Sequence, residues 1–190
     1  MNLFGEDNDD FELLNQLAAT ILKTCGGKKK LSRYLGYKLR KAIDELIDNK
    51  NTGRVSINEL DGIEKRFISF KVEKGIREIL KAPKGKLDLI IDGIDVDVKN
   101  TLGNNWMIPP EAFDMPCLLI QENESTGRFS VGLFVARKSL LTNRPNRDMK
   151  LSISAAGRKH IKWILYKEKY PLIISKKQQS ILQESRGLFS

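Results

Sequence analysis

Apolar residues recur at helical spacing through the first 80 residues of the chain and at strand spacing through much of the rest. From about Asp10 to Thr24, Phe11, Leu14, Leu17, Ala18 and Ile21 mark one face of an amphipathic helix that Gly26-Gly27 ends. A second helix is expected from about Leu31 to Asp48, with Tyr34, Leu35, Ala42, Ile43, Leu46 and Ile47 inward and Arg33, Lys38, Arg40 and Lys41 on its polar side. After a turn at Asn51-Thr52-Gly53, Ser56 and Glu59 make an S-x-x-E capping box, which predicts a long helix reaching Lys81 before Pro83. Its buried stripe is Ile68, Val72, Ile76, Ile79 and Leu80, with Glu73 at the edge. Cys117–Ile120 and Ser130–Val135 read as buried strands. Ser154 is expected to cap a final helix through about Lys167, with Ile161, Ile164 and Leu165 inward, stopped at Tyr170-Pro171. The remaining residues, 171–190, read as a short helix or a frayed tail.

Between the third helix and these strands lies KLDLIIDGIDVDVK, Lys86 to Lys99. Asp92-Gly93 favours a tight hairpin turn, which pairs Ile91 with Ile94, Leu89 with Val96 and Asp88 with Asp97. One face then carries Leu87, Leu89, Ile91, Ile94, Val96 and Val98, apolar throughout, and must be buried. The other carries Asp88, Ile90, Asp95, Asp97 and Lys99. Two carboxylates directly opposed, with Cβ atoms about 5 Å apart, destabilise a strand pair. A hard divalent cation offsets the repulsion, since Mg²⁺ takes one or two carboxylates and keeps several waters. Lys99 points the same way as Asp97 and can neutralise the site or touch a phosphate or water. The plain alternative is a solvated acidic hairpin.

Composition narrows the field. At 190 residues the chain reads as one domain, 1–170, with N-terminal helices over 10–48 and a core over 56–170, followed by the tail 171–190. No apolar run approaches the roughly 18 residues that cross a bilayer, and the acidic start MNLFGEDNDD is unlike a secretory signal. Cys25 and Cys117 form no metal-ligand pattern and read as reduced structural thiols of a cytoplasmic protein. A single histidine, His160, argues against a His-based zinc or iron site. The net charge of +9 is uneven: residues 126–190 hold 14 Lys and Arg against 3 Asp and Glu, whereas residues 1–24 hold one Lys against five acids. A basic half beside an acidic cluster suits a polyanion brought to a metal, although basic proteins with no nucleic-acid role are common.

Asp88, eight intervening residues, then Asp97-Val98-Lys99 resembles the catalytic core of PD-(D/E)xK nucleases. Trp106-Met107-Ile108-Pro109-Pro110-Glu111, Asn146-Arg147-Asp148 and Ala155-Ala156-Gly157-Arg158 follow in order. Together these motifs resemble the endonuclease domain of NaeI-type restriction enzymes over approximately residues 56–170. The resemblance implies an α/β fold with a restriction-endonuclease-like core: a central mixed sheet of four to five strands flanked by helices, with extra N-terminal helices. It implies Mg²⁺, for which Mn²⁺ can substitute, held by Asp88, Asp97, the Val98 backbone carbonyl and Glu73, with Glu64 and Glu78 as rivals for the last place. Lys99 would act on the attacking water. Two departures stand out. Family members typically carry a second DNA-binding domain after the nuclease, where about 20 residues follow Tyr170 here, so activation by a second DNA copy is not expected by that route. Val98 also stands where a cysteine is common.

The expectation is therefore an Mg²⁺-dependent double-stranded DNA endonuclease of the restriction type, leaving 5′-phosphate and 3′-hydroxyl ends. Base reading is assigned to Arg144, Asn146, Arg147 and Lys150, then Asn100 and Asn104, because Arg suits guanine and Asn suits adenine. The same side chains can instead be phosphate clamps, or Arg147-Asp148 an internal ion pair. A homodimer, one site per strand, and a cognate DNA methyltransferase encoded nearby complete the picture, with no membrane partner. Two rivals remain: a nicking or repair endonuclease with the same chemistry, and a non-catalytic DNA-binding regulator on a nuclease scaffold.

Overall fold

The computed structural model describes residues 3–170. Helix α1 (Leu3–Cys25) ends at Gly26 and Gly27, both at positive φ, and α2 (Lys28–Ile47) follows at once. A single turn, α3 (Asn49–Thr52), leads to the Ser56/Glu59 capping box. That box forms, but it opens only the 3-10 turn Ile57–Glu59 and not the long helix expected of it. Leu60 is buried in extended conformation, and a second box, Asp61 with Glu64, starts α4 (Gly62–Leu80). Two capping signals five residues apart compete, and burial of Leu60 decides for the later one.

Strands β1 (Leu89–Ile91) and β2 (Ile94–Thr101) form the hairpin, and a short β3 (Met107–Ile108) follows. Next come β4 (Pro116–Asn123), β5 (Arg128–Val135), β6 (Leu151–Ser152) and β7 (Lys162–Lys169). The main sheet has five strands in the order β1-β2-β4-β5-β7, with β2 and β4 parallel and the other neighbours antiparallel. β3 and β6 pair separately. This is the mixed α/β core with added N-terminal helices that the resemblance implied.

The expected final helix is a correction. Ser154 caps only the 3-10 turn Gly157–His160, its Oγ accepting from Gly157 N–H at 3.0 Å. The following residues are the edge strand β7. Two irregularities explain the misreading. Val131 pairs with Leu165 and Gly132 with Trp163, so Ile164 is an extra residue; a second bulge falls at Tyr166-Lys167, where Lys167 turns to positive φ and gives its N–H to Ser130 Oγ at 2.9 Å. The bulge at Ile164 sets Ile164 and Leu165 together on the helix side, and with Ile161, buried in the other part of the core just before the strand, they give what looks like helical spacing. The reading of residues 171–190 lies outside the described residues.

Strand alternation divides the core in two. On one face Leu89, Val96, Val98, Leu118, Ile120, Val131 and Leu133 pack under Leu17, Leu39, Ile43, Ile68 and Val72 of the helices. On the other, Cys117, Leu119 and Phe134 pack with Trp106, Ile108, Ile153 and Ile161. Trp106 is fully buried and donates its indole N–H to the Ile120 carbonyl at 2.8 Å. Among the described residues no helix is long and apolar enough to cross a membrane.

Candidate active site

The hairpin register is the expected one, Ile91 opposite Ile94 and Leu89 opposite Val96. Asp92 and Gly93 take φ of 54° and 77°, the positive values a two-residue turn matching the strand twist requires. Gln16 of α1 clips the turn through a 2.6 Å bond to Asp92. Pairing stops at Leu89. Leu87, which the register would set against Val98, gives its N–H to the Asp95 carboxylate (3.2 and 3.3 Å), as does Lys86 at 2.9 Å. Gly85 makes this possible, because a Cβ there would lie 2.1 Å from Asp95 Oδ1. The side chain of Asp95 thus peels the incoming chain away from β2 just at Asp88.

Asp88 fills the gap with its carboxylate: Oδ2 accepts the Val98 N–H at 2.7 Å. A strand residue presents its N–H and C=O on the same edge, so the Val98 carbonyl faces the same opening. Asp97, alternate to Val98, turns to the face away from the helices and is 4% exposed. Lys99 Nζ lies 2.8 Å from it, and the Cys117 thiol, its partner across the parallel pair, donates to Oδ2 at 3.9 Å. Burial pushes the Asp97 carboxyl up to about 6 against the pull of Lys99, and Asp88 adds to the rise. Burial also lifts the Cys117 thiol well above its usual range, so it stays protonated as a donor.

Glu73 of α4 joins this group. Its pKa is raised first by burial and then by the negative charge of Asp88, while Arg77, Lys84 and Lys99 pull it down. The two rivals are committed elsewhere: Glu64 to Arg54 at 2.6 Å and Glu78 to Lys38 at 2.5 Å. Among the described residues no cluster of three or more imidazole, thiol or carboxyl groups stands ready to hold an ion. The donors converging here are two carboxylates and a carbonyl, with Glu73 in electrostatic range. An all-oxygen, incomplete set of this kind fits Mg²⁺, which keeps several waters, better than a metal wanting sulfur or nitrogen.

The base-reading candidates divide. Pairing of β3 with β6 joins the segment after β2 to the 142–150 loop, and Asn105 and Arg158 fasten it through bonds to the Ile153 and Asn104 carbonyls. Asn104, Arg144, Asn146 and Arg147 are exposed and Lys150 is half-buried. The Asn146 carboxamide oxygen accepts the N–H groups of Asp148 and Lys150, both at 2.9 Å, so this side chain shapes the loop and keeps only its amino group for other work. Arg147 lies 3.8 Å from Asp148 and is almost wholly solvated. Asn100 is not brought to this surface. One residue beyond Lys99, it alternates to the helix side, where its amide atoms are buried beside Glu122.

That helix-side group is what sequence reasoning missed. Glu122 is fully buried, accepts from Tyr170 at 2.8 Å, and is pushed up to about 7 by burial. Its parity on β4 signals an inward position, but not its partners. Asp95 also acts differently from its sequence position beside Asp97, as a backbone clamp.

The family model for restriction endonuclease NaeI matches residues 26–180. Among curated proteins, the type II restriction enzyme NaeI of Lentzea aerocolonigenes is 30% identical over 125 residues, which is 65% of this chain and 39% of that protein. The chain therefore spans well under half of the relative it matches. The match runs through the hairpin, the Asp97–Lys99 pair and the 142–150 loop, and on that extent the chain belongs to the NaeI restriction endonuclease family.

Proposed function

We propose that this chain is an Mg²⁺-dependent endonuclease that hydrolyses both strands of DNA at a specific sequence, leaving 5′-phosphate and 3′-hydroxyl ends. The observation that carries the reading is the buried Asp97 carboxylate, 2.8 Å from the Lys99 ammonium, beside an Asp88 that sits where β1 leaves β2. A buried acid paired with a lysine and crowded by a second acid costs stability, and it persists where it has work to do. The family membership supplies DNA as the substrate class.

Asp88, Asp97 and the Val98 carbonyl would hold the ion, with Glu73 reaching it through water. Bound there, Mg²⁺ supplies a Lewis acid at the phosphate and a water of lowered pKa. Lys99 orients the attacking water and stabilises charge building on the scissile oxygens. The Cys117 thiol, donating to Asp97, fixes the carboxylate without adding charge. Asn104, Arg144, Arg147 and Lys150 contact the DNA beside the site, Asn146 holding the loop that presents them. Residues 1–170 act as one nuclease domain, paired as a homodimer with one site per strand, in a cytoplasm where a cognate methyltransferase protects the host. Mn²⁺ replaces Mg²⁺.

Purified chain incubated with supercoiled plasmids and methylation-free genomic DNA tests this. Discrete linear fragments are expected in Mg²⁺ and Mn²⁺ and none in EDTA, with Lys99→Met and Asp97→Asn inert. Nicked circles without linear product would favour the repair reading, and plasmids left intact with any metal would sink both.

A further inference from the structure

The strap between α4 and β1 carries Lys81, Lys84 and Lys86, all exposed. Among the described residues none of the three forms an ion pair or a side-chain hydrogen bond, whereas Lys38 and Lys71 on the adjoining helices are spent on Glu78 and Glu45. The backbone beneath these lysines is fixed at four points. The Ala82 N–H bonds to the Arg77 carbonyl and the Ile90 N–H to the Pro83 carbonyl, both at 3.0 Å, and the Lys86 and Leu87 N–H groups are held by the Asp95 carboxylate.

Asp95 has the parity of Asp97 and Lys99 on β2, so the strap it holds is drawn to the face on which those two stand. Lys84, further back, lies in electrostatic range of Glu73 on α4. The strap thus runs from the end of the helix, round the edge of β2 that β1 has left, to the candidate site. The 142–150 loop serves the same face, because its neighbours Ile108 and Leu151 pack there. At the site itself Glu73, Asp88 and Asp97 surround a single ammonium, Lys99. Three ionised carboxylates repel a phosphodiester at close range, and one divalent cation brings the group only to neutrality. Attraction for the strand has to come from beside the site, and the strap is the cationic segment that leads directly into Asp88.

We propose that Lys81, Lys84 and Lys86 clamp backbone phosphates of the DNA strand that lies in the candidate site. The inference deepens the nuclease reading and rests on it for DNA as the partner. An ammonium on a flexible stem suits a phosphate as a point charge. The fixed backbone leaves only side chains to be ordered on binding. Contacts of this kind set position and carry no sequence information.

Fluorescence anisotropy of the 190-residue chain on duplexes of several unrelated sequences, in Ca²⁺ or EDTA across a salt series, tests the clamp without cleavage. Each phosphate neutralised contributes about 0.9 to the slope of log K against log salt. Lys81→Gln, Lys84→Gln and Lys86→Gln together should flatten that slope by about 2–3 and weaken binding roughly 10- to 500-fold near ~0.1 M salt, equally for every sequence. Lys28→Gln, Lys29→Gln and Lys30→Gln remove the same charge at the start of α2, which Ser32 ties to β7 at the far edge of the sheet. That control should flatten the slope by less than about one. Circular dichroism of both variants should match the parent; if the strap triple variant unfolds, each single Lys→Gln change reads the same effect, about 0.9 in slope. A strap variant whose slope changes by less than the control's, a control that loses as much, or a loss confined to one sequence would each overturn the proposal. Cleavage in Mg²⁺ is scored separately. Strap-dependent binding without cutting would sink the nuclease reading and leave the clamp standing, whereas cutting by a chain whose strap variants keep the parent slope would do the reverse.

Discussion

Asp97→Asn should make the metal-free protein more stable while destroying its proposed activity. The carboxyl is 4% exposed and its pKa is raised from 3.8 to about 6, burial outweighing the pull of Lys99. The folded chain therefore holds this proton more tightly than the unfolded chain does. The stability that Asp97 contributes is fully present below about pH 3.8 and is lost as pH rises through about 6. The rise of some two units corresponds to roughly 3 kcal/mol. Asparagine keeps the shape, never ionises, and leaves Lys99 close enough to solvent to turn outward. Near pH 8 in EDTA the variant should gain up to ~3 kcal/mol, or about 6–10 °C in Tm for a chain of this size. Near pH 4 the two proteins should melt together. Thermal denaturation followed by circular dichroism at pH 4, 6 and 8 reads the effect. Added Mg²⁺ should raise the Tm of the parent, whose ionised Asp97 it neutralises, and leave the variant unmoved. An Asp97→Asn protein that melts below its parent at pH 8, or a gap that does not widen between pH 4 and 8, would refute the reasoning.

The same logic applies to Glu122, raised from 4.5 to about 7 by burial. Glu122→Gln should recover about 3 kcal/mol above pH 7 and nothing below pH 4.5. A Tyr170→Phe change in that background should cost about 1 kcal/mol, because the 2.8 Å hydrogen bond to position 122 is lost; urea titration across pH measures both. Gly85→Ala forces Asp95 off the Lys86 and Leu87 amides, since its Cβ would fall 2.1 Å from Asp95 Oδ1. It should destabilise by about 1–3 kcal/mol and depress cleavage by more than the unfolded fraction accounts for, as paired unfolding and single-turnover assays would show. Asn146→Ala removes the acceptor for two loop amides. It should weaken DNA binding while leaving the melting temperature nearly unchanged, which fluorescence anisotropy checks.

The hairpin was legible because everything that determines it is local: a period-two pattern, an Asp-Gly turn and an apolar reverse face. β7 was not. Its inward residues obey the pairing with β5, and two bulges there displace the alternation by a residue each. A strand that bends to follow its neighbour carries no clean period of its own, and its two adjacent buried residues, Ile164 and Leu165, together with Ile161 just before it, mimic a helix stripe. The α4 start shows the same limit in a milder form. The Ser56/Glu59 box pointed to a start five residues too early, and the box that opens the helix, Asp61 with Glu64, follows the buried, extended Leu60.

At the candidate site, sequence singled out side chains that lie close together in the structure but not what surrounds them, and the difference is one of range. Asp88, Asp97 and Lys99 fall within twelve residues: strand parity puts Asp97 and Lys99 on one face, and Asp88 follows directly beyond the last paired residue, Leu89. Their environment comes from far away: Cys117 through the parallel β2–β4 register, Glu73 from a helix, and Gly85 through the space it leaves for Asp95. Those distant residues set the electrostatics. Opposed aspartates in solvated strands would simply repel. Buried beside a protonated thiol, with the next ladder bond diverted to Asp95, one of them is held close to the point of taking up a proton. Asn100 makes the converse case. Its position just past Lys99 marked it as a DNA reader, yet a one-residue step along a strand reverses the face, and the amide lies against Glu122 in the helix-side core. Adjacency in sequence to a candidate site residue therefore argues against sharing its surface when the segment is a strand, and a spacing of two residues favours it.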